Sequence, residues 1–301
     1  MTIRNVTLVG GNGTLGTVIL NGLVSAGTFR VTVLKRSSSK STLSHADKIR
    51  VVEIPDDLSV DSVAEKLKGE DALVVSIPVS DPEEHIRLAE AAAAAGVKRI
   101  IPADFGSVDS RGKRERELVQ LFEKKVRVRE RLEQLAAENE NFTWTSLVCG
   151  HFFDWGLKAN FLHFNLEKKK AEIIDDGNKK SSLSTLARIA EATVSILHRY
   201  DVTKNKMLFV QSFCVSQNEC LESLKKVTGN DWTVEHLDSE EFIKKYKALA
   251  DGGDKAAIEE LVFVLGAIDG NWEPRDEFGM SLLGLENEDL DTVVKRVVES
   301  T

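Results

Sequence analysis

The chain has 301 residues, 42% of them hydrophobic and 29% charged, with 5 Pro and 3 Cys; this composition excludes a disordered chain, a collagen-like chain and a disulfide scaffold. A chain this long buries roughly 75% of its unfolded surface, so its core needs neither staple nor metal, and one large domain or two closely joined ones are expected. The formal net charge of −8 speaks against nucleic acid as the main partner, since neutralising phosphates takes a dominant basic surface.

Thr2-Ile3-Arg4-Asn5 leads straight into an apolar run, without the charged and apolar regions of a secretory leader. No uninterrupted apolar run reaches the roughly 18 residues that a membrane span requires. Cys149, Cys214 and Cys220 show no CxxC spacing, and an odd count in a long chain fits a reducing compartment with buried thiols. The expectation is a cytoplasmic monomer or homodimer with no membrane partner.

Short apolar, β-branched runs at 6–9, 31–34, 51–54, 72–77, 99–101 and 143–148 alternate with stretches long enough for crossover helices. That rhythm predicts a parallel sheet covered by helices on both faces. Ser80-Asp81-Pro82-Glu83-Glu84 starts one helix with a cap, a proline in the first turn and acids at the positive dipole end; 91–95 continues it and Gly96 stops it. Beyond residue 152 the alternation breaks. The pattern predicts a helix over 181–199, a strand over 207–213 returning to the main sheet, and a helix to 227 opened by the capping-box spacing Ser216…Glu219. Helices over 240–249 and 256–266 follow, broken by Gly252-Gly253.

Gly10-Gly11-Asn12-Gly13-Thr14-Leu15-Gly16 lies between the first strand and an apolar helix and contains GxGxxG. Glycine allows a tight turn, close approach of backbone to a pyrophosphate and close helix packing, and the helix N-terminus offers N–H groups to the anion. The fold class predicted is therefore α/β, a Rossmann-type doubly wound parallel sheet with a smaller, mostly helical C-terminal substrate domain. Residues 1–152 form the NADP(H)-binding part, and 153–301 form the substrate-binding part with a return to the main sheet around 181–213.

An NAD-preferring site places an acid about 20 residues beyond the glycines. Here the second strand ends in Leu34-Lys35-Arg36-Ser37-Ser38-Ser39-Lys40. Arg36 can fork to a 2′-phosphate, with Ser37 and Lys40 in support, which favours NADP(H). Asp57 is a candidate adenine-edge contact, and Ser76, Ile77 and Pro78 lie on the carboxyl rim of the sheet, where ligands bind in such folds.

Between 112 and 141, Leu118, Leu121, Val128, Leu132 and Leu135 form one apolar helical stripe, and Lys125 fills its remaining slot. Lys124, Arg127, Arg129 and Arg131 are read as falling off it, so only Lys125 is expected to point inward. Such a lysine snorkels, pairs with an acid or loses affinity for its proton, and the last would make it a general acid or base. In short-chain dehydrogenases this helix carries Tyr-xxx-Lys; the tyrosine slot here is Leu121.

These features, with Lys98-Arg99-Ile100-Ile101-Pro102-Ala103-Asp104-Phe105-Gly106 and Phe122-Glu123-Lys124-Lys125, resemble the isoflavone-reductase-like, NmrA-like branch of atypical short-chain dehydrogenases. Phe152-Phe153-Asp154-Trp155-Gly156-Leu157, Asp175-Asp176-Gly177-Asn178 and 213–219 are similar to its fungal members in particular. The resemblance implies an NADPH-dependent reductase of a small aromatic or conjugated, secondary-metabolite-like molecule. In it, Lys125 moves a proton and the nicotinamide delivers hydride. It also implies cofactor contacts from Ala103, Asp104, Phe105, Lys125 and Phe152, and substrate contacts from Phe105, Phe153 and Trp155. The chain departs from plant relatives at Val148-Cys149-Gly150-His151-Phe152-Phe153, where His151 is a candidate second acid/base group. The alternatives are a non-catalytic NAD(P)-sensing regulator that binds a protein partner, and an isomerase or dehydratase that keeps the cofactor as scaffold. The six histidines offer no ligand-like spacing, so no metal is expected.

Overall fold

A computed structural model describes residues 2–301. Its centre is a seven-stranded parallel sheet built from β1 (Asn5–Val9), β2 (Arg30–Arg36), β3 (Arg50–Ile54), β4 (Ala72–Val75), β5 (Arg99–Ile101), β6 (Thr143–Val148) and a last strand, Lys206–Phe209. From edge to edge the order is Lys206–Phe209, β6, β5, β4, β1, β2, β3. The direction of winding reverses between β1 and β4, which opens a crevice at their carboxyl ends. Both faces are covered: Val6 and Leu8 of β1 belong to one hydrophobic cluster and Val9 to the other. Helix α1 (Thr14–Ser25) and the helix Leu186–His198 supply the first cluster. Helices α2 (Val60–Leu67), α3 (Pro82–Ala94) and α5 (Gln120–Glu138), which follows the short α4 (Lys113–Leu118), supply the second. Asp81 caps α3 by accepting from the Glu83 amide at 3.0 Å, as its sequence predicts.

After β6 the structure differs from the expectation in two places. The predicted helix over 181–199 begins only at Leu186, where Thr185 caps it by accepting from the Arg188 amide. Lys180–Ser184 is instead a strand, antiparallel to Phe213–Ser216 and parallel to His151–Phe152. The predicted 207–213 strand likewise divides: Lys206–Phe209 lies beside β6, and Phe213 goes to the small sheet. The part from residue 151 onward thus holds two three-stranded sheets as well as helices. The helices Gln217–Thr228, Ser239–Asp251 and Lys255–Asp269 form as expected, the first with a complete Ser216–Glu219 capping box. Of the cysteines, Cys149 and Cys220 are buried and Cys214 only partly so. No helix among the described residues is long and apolar enough to cross a membrane.

Candidate active site

The glycine loop closes the crevice at β1. Gly10 has φ +90°, and a Cβ there would lie 2.3 Å from the Ser76 carbonyl oxygen; a Cβ on Gly16 would lie 1.8 Å from that of Gly10. Backbone therefore meets backbone across the switch point, and only glycine permits it. Gly13 begins α1 with no side-chain cap, while Asn12 and Thr14 are exposed and Leu15 is buried. Uncapped first-turn amides at the positive end of a helix, in a cradle that side chains would fill, suit a dinucleotide pyrophosphate.

The adenosine end is more crowded with acids than the sequence suggests. Arg36 pairs with Glu84 at 2.7 Å, and Ser37 and Ser38 both donate to Asp56. These serine hydroxyls hold the exposed Asp56 carboxyl below its ordinary range. Glu84 and Asp56 are far from Arg36 in sequence, so a search for an acid at the strand end misses them. Lys40 is exposed and makes no ion pair among the described residues. Asp57 accepts from the Ser59 amide at 3.1 Å, which gives it a turn-forming role ahead of α2.

On the other side of the switch point, Ser76, Ile77 and Pro78 leave β4 while Ala103, Asp104 and Phe105 leave β5. Together with Thr14 and Leu15 they line a trough of about 430 Å³. Phe105 sits at φ +35°, a conformation that costs a bulky residue on the order of 1–3 kcal/mol. Its neighbour Gly106 is held by the amides of Cys149 and Gly150, which both donate to its carbonyl. The strained turn aims Phe105 into the crevice.

Lys125 is the centre of the rim. Its Nζ donates to the Asp104 carbonyl and lies 3.8 Å from Asp104 Oδ1, with the side chain 10% exposed. Burial pushes its ammonium below the ordinary lysine range, against the opposing pull of the Asp104 carboxylate. Asp104 is itself buried, its Oδ2 accepting from Ser146 and from Arg129 Nη1. Here the structure corrects the helical reading: Arg129 is buried too, one turn beyond Lys125 on the same face, and also donates to Ser110. Residues four apart share a face, so the stripe carries two cations, and the second one anchors the acid that faces the first.

A second cavity of about 180 Å³ adjoins the trough, and Phe105, Leu121, Lys125 and Phe152 line both. Leu121, in the slot that a tyrosine would fill, is therefore part of the wall. Phe122, Trp155 and Phe161 add aromatic surface; Trp155 is tilted against Phe161 at 5.5 Å. Phe161 gave no signal in the sequence, because a helix and a loop separate it from the motif. His151 also lines this cavity, with Nε2 3.1 Å from the Val262 carbonyl, and burial pushes its imidazole down to about 4. Phe153 does not line it: fully buried, it packs edge-on against Phe213 at 4.8 Å in a third core beneath the site. As the first residue of the helix Phe153–Lys158 it faces away from its neighbour Phe152. A larger cavity than either, about 600 Å³, lies along the strand Lys206–Phe209, and its wall mixes three cations with three acids. Among the described residues no group of three His, Cys, Asp or Glu is placed to hold a metal ion.

Comparison with known proteins agrees with this geometry. A profile of the NmrA-like family matches residues 2–284. The oxidoreductase aprR of Aspergillus flavus is 36% identical over 242 residues, 80% of this chain and 79% of that protein. The oxidoreductase poxI of Penicillium oxalicum is 30% identical over 298 residues, 96% of this chain and 92% of that protein. Among solved structures, an isoflavone reductase superposes with a TM-score of 0.77 at 18% identity, covering 100% of both chains. A leucoanthocyanidin reductase from Vitis vinifera, in a ternary complex, also gives 0.77 at 18% identity, over 98% of this chain and 99% of its own. The sheet order, the glycine cradle and the rim lysine are thus those of a chain that belongs to the NmrA-like family.

Proposed function

We propose that this chain is an NADP(H)-dependent reductase of a small aromatic or conjugated molecule, with Lys125 as the proton-transfer group. The observation that carries this reading is that Lys125 lies where the cofactor trough and the aromatic cavity meet. When bound, the nicotinamide cofactor supplies the hydride. The protein's own part is to hold the pyrophosphate at Gly10–Gly16, bind the 2′-phosphate through Arg36, and exclude water with Phe105, Leu121 and Phe152. Lys125 Nζ then gives its proton to the substrate oxygen; its lowered affinity for that proton brings it closer to the working pH. In this reading residues 1–152 hold the cofactor, and the part from 153 onward completes the substrate wall through Trp155, Phe161 and Val262. A nucleotide sensor has no use for a desolvated amine at this junction, which is why the enzyme reading is preferred.

The test is a screen of aryl ketones, enones and benzylic ethers for NADPH oxidation, followed by Lys125→Ala with the best acceptor. Turnover should fall by about 100-fold or more, while NADPH affinity, set by the glycine loop and Arg36, stays nearly constant. Unchanged turnover in Lys125→Ala would overturn the assignment.

A further inference from the structure

The aromatic cavity carries two polar groups that the proton transfer at Lys125 does not use. Ser107 follows Gly106 on the rim and is 8% exposed, and its Oγ has no hydrogen-bond partner. An unpaired buried hydroxyl is costly, so natural structures retain one where something else completes it.

His151 is 4% exposed and lines the same cavity. A carbonyl oxygen can only accept, so the 3.1 Å contact with Val262 makes Nε2 the protonated nitrogen. The ring is neutral, because burial holds its proton affinity far below the ordinary histidine range. Nδ1 is then a bare lone pair. The ring's position is fixed on several sides. Phe161 meets it edge-on at 5.2 Å, and a Cβ on Gly266 would come within 2.3 Å of Cε1 and Nε2. A neutral imidazole whose only proton is committed to the backbone is a poor general acid and a good acceptor.

We propose that Ser107 and His151 form a hydroxyl-recognition pair on the wall of the aromatic cavity, Ser107 Oγ donating to a substrate hydroxyl and His151 Nδ1 accepting from it. The cavity, about 180 Å³, is smaller than the roughly 300 Å³ at which sites for drug-sized ligands begin. The ligand class is accordingly a single-ring aromatic or conjugated molecule with a free hydroxyl, in addition to the group that faces Lys125. This inference rests on the cavity being the substrate site of the reductase reading. His151 then acts as a specificity residue rather than as the second acid/base group.

Calorimetric binding of 4-hydroxyacetophenone and acetophenone to the NADPH-loaded protein tests the pair. The hydroxylated ketone should bind the wild type about 10-fold tighter or more, and Ser107→Ala and His151→Phe should each shrink that gap to about 3-fold or less. Acetophenone affinity should change less than that of the hydroxylated ketone in both variants. Ser107→Ala removes one unpaired atom and keeps the packing, so it carries the test if His151→Phe does not fold. Equal affinities in the wild type, failure of both ketones to bind, or parallel losses for both ketones would overturn the pair. Repeating the measurement in Lys125→Ala separates the two claims. A hydroxyl gap that survives there, in a protein whose wild type oxidises NADPH with none of the aryl ketones, enones and benzylic ethers screened, keeps the pair and sinks the reductase reading.

Discussion

Arg99, at the start of β5, and Lys125, on α5, are both cations taken out of water, and their surroundings differ in kind. Arg99 is completely buried, and its guanidinium is spread over neutral acceptors: Thr143 at 2.9 Å, Thr145 at 2.7 Å, Thr203 at 2.9 Å and the Tyr200 carbonyl at 2.8 Å. It also lies 4.6 Å from the centre of the Tyr200 ring, and burial lowers its pKa to about 10. These contacts tie β5 and β6 to the segment after the helix Leu186–His198, and Arg99 lines none of the cavities described above. Lys125 by contrast has three donors and gives one of them to a backbone carbonyl, while the rest of the ammonium faces two cavities. A buried cation whose every nitrogen is hydrogen-bonded is architecture; an ammonium that keeps free donors at a cleft is chemistry.

Stability measurements can break that contrast. Arg99→Met should cost about 3–5 kcal/mol, because several acceptors lose a charged donor inside the core, and should lower the thermal midpoint by roughly 10 °C. Lys125→Met should lower the midpoint by less than Arg99→Met, because Arg129 and Ser146 still hold Asp104 Oδ2 when the ammonium beside Oδ1 is removed. Scanning calorimetry of the two variants in parallel decides; the opposite ranking would reverse the assignment of roles.

A pair of histidines repeats the contrast on a smaller scale. His151 and His163 both stack near Phe263, at 6.2 Å and 4.0 Å. His151 has a carbonyl as its hydrogen-bond partner and no carboxylate, and burial lowers it to about 4 from 6.5. Its folded form is therefore neutral, and the stability this represents, roughly 3 kcal/mol, is present above about pH 6.5 and lost as the pH falls toward 4. His163 sits between Glu172 at 2.7 Å and Glu260 at 2.9 Å. Burial opposes its charge, but the two carboxylates outweigh burial and raise it. Its contribution is complete below the ordinary histidine pKa of 6.5 and is lost as the pH rises through the raised value. Urea denaturation of His163→Gln across this range should show a deficit that shrinks with rising pH, and His151→Phe should flatten the acid loss of the wild type. Identical pH profiles for all three proteins would show that neither ring is linked to folding.

The smallest effect concerns a third cation. Arg36 is half-exposed and already paired with Glu84, so a 2′-phosphate must displace a carboxylate to use it. Glu84→Gln should tighten NADPH binding by about 3- to 10-fold, in keeping with the modest worth of a surface ion pair and its charged hydrogen bond. NADH, which lacks the phosphate, should be unaffected. Calorimetry with both cofactors checks this, and an equal gain for NADH would remove the 2′-phosphate from Arg36.

The same physics explains what could be read before the fold was known. The sheet, the glycine cradle and Lys125 were legible because each is a local pattern: β-branched runs, glycines at a strand end, an inward slot on a helix. Arg129 yields to the same argument, since four residues from Lys125 is one helical turn on the same face, and its charge type says nothing of that position. The strand at Lys180–Ser184 was hidden because its serines bury through long-range pairing with Phe213–Ser216. Glu84 beside Arg36, Asp104 between Lys125 and Arg129, and Phe161 in the wall are tertiary encounters with no signature in spacing. Phe152 and Phe153 look alike in sequence, while the turn into a helix sends the second into the core beneath the site.

The central claim concerns one amine, and it can be measured without a substrate. In protein carrying lysine labelled with carbon-13 at Cε, an NMR titration should show one lysine, absent from Lys125→Met, that loses its proton well below the ordinary value of 10.5. Titration of every lysine together near 10.5, with no separate signal lost in Lys125→Met, would contradict the account.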